Sequence, residues 1–162
     1  MRAGIVLTLA ACVLAAGTGH ADDAGKKDDD DPGKIDLAML EGTWVIVGKE
    51  FMGKKATKKE VLLLKGEMVV KGNTVTQWAE EDGKKEIVSQ SKFKLNPKAK
   101  PKAVDVTYTA GALKGKTVRA IYELKGDTLK VCFAIGSKRR PKKFAGEEDG
   151  RTLFLTYKRV KK

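Results

Sequence analysis

The chain of 162 residues carries 33 Lys and Arg against 21 Asp and Glu, a formal net charge of +12, with one histidine and two cysteines. That length accommodates one domain behind a leader. Loss of the leader described next would take His20 and Cys12 with it, which excludes Ser-His-Asp and Cys-His catalysis, histidine-ligated zinc and an internal disulfide.

Arg2, the apolar run Gly4 to Ala16 and the small residues Gly19-His20-Ala21 read as a signal peptide over residues 1–21. The run is shorter than the about 20 apolar residues of a membrane span, so no transmembrane segment is expected in the mature chain. Leu9-Ala10-Ala11-Cys12 also resembles a lipobox, in which Cys12 would be lipidated; either route exports the protein to the periplasm, the envelope or the medium. Residues 22–36, DDAGKKDDDDPGKID, hold seven acids against three bases and read as an acidic disordered linker. Asp28 to Asp31 lacks the glycine and the spaced ligands of a calcium loop, and nothing else in the pattern calls for a metal or cofactor. The domain, 37–162, has 29 Lys and Arg against 14 Asp and Glu.

Within it, Leu40 to Glu50 is a strand with Gly42, Trp44 and Ile46 on one face. Thr57 to Leu64 reads as a short helix, since Thr57 and Glu60 have capping-box spacing and Gly66 ends the run. Met68-Val-Val and Thr74 to Ala79 pair across a Gly72-Asn73 loop, Val70 opposite Val75 and Met68 opposite Gln77. After a turn at Glu81-Asp82-Gly83-Lys84, a strand from Glu86 to Leu95 sets Ile87, Ser89, Ser91, Phe93 and Leu95 on one face. Ala103 to Thr109 turns Val104, Val106 and Tyr108 inward. Lys116 to Ala134 is the clearest hairpin: a Gly126-Asp127 loop pairs Leu124 with Leu129, Tyr122 with Val131 and Ala120 with Phe133, all on the apolar face. Arg119, Glu123, Thr128, Lys130 and Cys132 take the other face, Cys132 as a small packed residue. A last strand, Arg151 to Arg159, points Leu153, Leu155, Tyr157 and Arg159 inward. Eight or so strands joined by short turns, with one short helix, predict an all-β, antiparallel up-and-down barrel whose closure removes exposed edges.

Gly42-Thr43-Trp44 with Arg159 on the last strand resembles the Gly-x-Trp signature and basic partner of the lipocalins, a resemblance that implies closure of one barrel end by Trp44 and Arg159. The segments LEGTW, KLNPKAKPKAVDVTYTAGALKGKTVRAIYELKGDTLKVCFA and RRPKKF resemble, in order and spacing, an exported planctomycete lipocalin-like family of unknown function. That likeness implies a fold and supplies no reaction. The residues admit three uses. The inward rows, with Gln77, Ser89, Ser91, Tyr108, Ala120, Tyr122 and Phe133, would line a cavity for a small apolar or amphipathic ligand. Lys98, Lys100 and Lys102 with Lys138, Arg139, Arg140, Lys142 and Lys143 would form a patch for anionic envelope polymers. Nucleic acid is disfavoured because these loops lack interleaved aromatics. Asp105 and Glu123 could be an acid-base pair, but their outward faces favour surface ion pairs, so no catalytic residue and no enzyme is expected.

Overall fold

A computed structural model of the chain describes residues 32–64 and 66–161. The leader, Cys12 and the acids up to Asp31 lie outside the described residues. In chain order the elements are α1 (Pro32–Leu40), β1 (Gly42–Phe51), β2 (Lys54–Lys55), α2 (Lys58–Leu63), β3 (Gly66–Lys71), β4 (Thr74–Glu81), β5 (Lys84–Asn96), β6 (Ala103–Ala110), β7 (Thr117–Lys125), β8 (Thr128–Ala134) and β9 (Thr152–Arg159). Strands β1 and β3 to β9 each pair antiparallel with the next, and β9 returns to β1, closing an eight-stranded barrel; β2 only folds back on the end of β1.

Turn chemistry sets the registers as the sequence predicts. Gly72 and Gly126 open their two-residue loops at φ of 54° and 52°, a conformation that spares glycine any Cβ clash, and the resulting pairs include Val70 with Val75, Tyr122 with Val131 and Ala120 with Phe133. The inward rows then form one core of Trp44, Val70, Phe93, Val104, Tyr122, Leu129, Val131, Leu155 and Tyr157 with their partners. Where the strands must curve, extra residues break the alternation. The register shifts between Ile46 and Gly48 on β1, leaving Val47 exposed. It shifts again where Gln77 pairs with Ser89 but Trp78 with Ile87. The second bulge corrects one expectation: Ile87 is half exposed instead of sharing the inward row of Ser91 and Phe93.

A second correction concerns the linker. Its last five residues, Pro32 to Asp36, begin α1, and Asp36 is 6% exposed. Proline suits a first helical turn, and Leu37 and Leu40 pack on the core, which supplies the burial that the acids alone could not. α2 forms where its capping box predicts: the Glu60 amide donates to Thr57 Oγ1, and the Glu60 carboxylate accepts from the Thr57 amide at 2.7 Å.

Residues 135–151 have no regular structure and run as a strap over the outer face of β7 to β9. Beneath it Ile121 and Cys132, cross-strand partners facing away from the barrel axis, are fully buried, and Phe144 packs on Phe154 at 6.0 Å between ring centroids. Arg140 fastens the strap, donating to the Val104 and Ala120 carbonyls at 2.9 and 2.6 Å and to Asp105 at 2.6 Å. Gly146 lies so close to the Glu50 carbonyl that any Cβ there would collide with β1 backbone.

Candidate functional site

The barrel holds a partly open cavity of about 70 Å³ with an almost wholly apolar lining. Since one water needs about 10–15 Å³ on this measure, the space holds roughly five waters or one compact molecule. Of the seven residues expected there, Gln77, Ser91, Tyr108, Tyr122 and Phe133 line it. Ala120 is fully buried in the core around it, its methyl too short to reach the space. Ser89 stands beside the cavity and donates to Gln77 Oε1 at 2.5 Å, which leaves the amide N–H groups as the end of Gln77 free to donate. The rest of the wall is apolar apart from the Tyr157 hydroxyl, and includes Leu40, Met68, Val131 and Tyr157, which the cavity set omitted. Alternation had already turned Tyr157 inward. Leu40, expected to open the first strand, instead ends α1 and reaches the cavity from the helix, with the strand beginning at Gly42.

Tyr157 is the unusual member. It is 1% exposed, and among the described residues its hydroxyl is the one enclosed side-chain polar atom with no hydrogen-bond partner. Leaving a buried hydroxyl unpaired costs about 1–3 kcal/mol. Burial, with Tyr108 close by, raises its pKa far above the ordinary phenol value.

One end of the cavity is shut. Trp44 is fully buried and donates through Nε1 to the Leu40 carbonyl at 2.8 Å, while the Arg159 guanidinium lies 4.2 Å from the centre of its ring and donates to the Met39 and Glu41 carbonyls. The structure thus brings Trp44 and Arg159 together, and the arginine also clasps the end of α1. Asp36 completes the stopper. It accepts from Tyr122 Oη at 2.5 Å and from Lys102 Nζ at 2.7 and 2.9 Å. Burial first, and then the Asp36 bond and charge, hold the Tyr122 phenol protonated far beyond its usual range.

The other end is a mouth. A pocket of about 180 Å³ lined by Ile46, Leu64, Trp78 and Val88 shares Met68, Gln77 and Tyr157 with the cavity, so those three side chains partition the inside from the outside.

The basic residues divide. Lys102 is taken up by Asp36, Arg140 by Asp105 and backbone, and Lys143 pairs with Glu147 at 3.6 Å. Lys98, Lys100, Lys138, Arg139 and Lys142 form no ion pair among the described residues. Asp105 and Glu123 lie on the outer wall as expected, Glu123 held by Lys125 and Lys130 at 3.1 Å each. No family model matches the chain, and no curated protein matches its sequence.

Proposed function

We propose that the chain is a non-enzymatic, lipocalin-like binding module that holds one small, mostly apolar molecule with a hydrogen-bond acceptor inside the barrel. The observation that carries this reading is an apolar cavity whose partition bears the unpartnered Tyr157 hydroxyl and the amide of Gln77. Apolar walls with few orienting polar groups are the usual make-up of a small-molecule site. The volume suits a small ketone or alcohol and is too small for a long acyl chain. Export belongs to the same proposal and rests on Arg2, the run to Ala16 and Gly19-His20-Ala21; membership of the planctomycete family rests on the ordered segments quoted above. In ligand-observed NMR, cyclopentanone should receive saturation from the protein, and a Val131→Trp substitution that fills the cavity should abolish it. Absence of any signal from a panel of small ketones and alcohols, with nothing co-purifying by mass spectrometry, would sink the reading.

A second reading is favoured by the unpaired cations. Arg140 fastens the strap that carries Lys138, Arg139 and Lys142 to the start of β6, the strand that follows the loop of Lys98 and Lys100. Such a group would dock on anionic envelope polymers. Retention on an anionic polysaccharide column should fall steeply with salt; retention indifferent to salt would contradict it.

A further inference from the structure

α2 presents to solvent a face that the barrel does not use. Val61 is its buried anchor, whereas Leu62 and Leu63 are 76% and 69% exposed. Helical spacing sets Lys58 beside Leu62 and Lys59 beside Leu63, four residues apart in each case, so the outer face is two lysines followed by two leucines. Lys54 and Lys55 on β2 line an open groove against Thr57, Glu60 and Leu64, and all four lysines are exposed and without an ion pair among the described residues. The acid within the helix is already engaged, since Glu60 turns its carboxylate to the Thr57 amide and hydroxyl. Glu148, lying against Gly53, marks the border of this cationic zone on the strap side. Leu64 belongs both to that groove and to the barrel mouth, where Trp78 and Val88 are its neighbours.

From this arrangement we infer that α2 and the β2 turn form a docking surface for an anionic lipid bilayer, Leu62 and Leu63 entering the acyl boundary while Lys54, Lys55, Lys58 and Lys59 meet the headgroups. Charge selects the occupant. An apolar pair ringed by unpaired cations matches an interface of anionic headgroups over hydrocarbon, with lysine stems long enough to span both layers. A protein partner would need about 800 Å² of contact on each side, more than two leucines and their flanks offer. Docked in this way, the barrel has its mouth beside the membrane and its α1 stopper away from it.

The test is vesicle flotation at low salt with the chain from Asp22 onward, which keeps every described residue and lacks the apolar run that would itself bind lipid. It should float with equimolar phosphatidylglycerol and phosphatidylcholine and not with phosphatidylcholine alone. Leu62→Asp/Leu63→Asp should lower that partition about tenfold or more. Leu62→Ser/Leu63→Ser, a milder change at the same exposed sites, should lower it several-fold with the circular dichroism unchanged. Lys138→Ser/Arg139→Ser, in the strap, should leave the leucine dependence intact. A fluorophore on a Leu62→Cys variant should shift to the blue with the anionic vesicles, the buried Cys132 escaping the label. Failure of the parent protein to float with anionic vesicles overturns the inference, as does equal flotation of both leucine variants or their replacement by a leucine-dependent dimer. None of these outcomes touches the cavity, which the ketone measurement tests by itself.

Discussion

The two ends of the barrel solve opposite problems. At the α1 end a network of donors and acceptors is engaged: Trp44 on Leu40, Arg159 on Met39 and Glu41, and Tyr122 and Lys102 on Asp36. At the α2 end the helix is held by one capping box and one buried valine while its leucines face outward. A buried polar network fixes position because each broken bond strands a partner away from water. An exposed helix of six residues has no such penalty and is free to adapt. The closed end is thus held by a buried network and the open end by local capping and one anchor.

Substitutions should separate the two. Trp44→Ala removes the stacked indole, its hydrogen bond and a large volume of core, and should lower unfolding free energy by about 3–5 kcal/mol in urea titration. Asp36→Ala leaves Lys102 and the Tyr122 hydroxyl unpartnered at a cost of about 1–3 kcal/mol, and should speed proteolysis within α1 while the barrel persists. Thr57→Ala should cost about 1 kcal/mol or less, visible as faster amide exchange in α2 and not in the strands. Equal protection of α1 and α2 in the parent protein would erase the contrast.

Titration should sharpen it with opposite signs. Burial raises the pKa of Tyr122 and of Cys132 above their ordinary values of 10.0 and 9.0, so the unfolded chain releases those protons first. Stability from them is whole below about pH 9 and is lost as pH rises, and Tyr122→Phe should flatten the alkaline fall in melting temperature. Glu60 is held below its ordinary 4.5, chiefly by the Thr57 amide. Its contribution is present above that value and is lost as pH falls through its folded pKa, so acid should fray α2.

Most of the fold was legible because period two and turn glycines act locally. The register about Gly126-Asp127, the inward rows of β6 and β9, and the Thr57–Glu60 box all follow from neighbours in sequence. What sequence could not reveal depends on distant partners. Asp36 looked like one more solvated acid because its reasons for burial, Lys102 and Tyr122, lie 66 and 86 residues away. Ile87 followed alternation until a bulge displaced it. Of the cavity set, Ser89 and Ala120 were placed on the right strands, but Ala120 is too short to reach the space and Ser89 is turned to Gln77 beside it.

The strap over Ile121 and Cys132 gives the barrel wall two thicknesses. Along β7 to β9 the sheet is sandwiched between the inner core and a second apolar layer under residues 135–151, whereas β5 shows water a row of exposed residues from Lys84 to Val88. A closed sheet that is stiff on one flank and single-layered on the other will breathe asymmetrically, and the single-layered flank adjoins the mouth. Amide exchange should be slowest around Ile121 and Cys132 and fastest near Val88, the thin flank parting transiently while the buttressed flank keeps the shape it returns to.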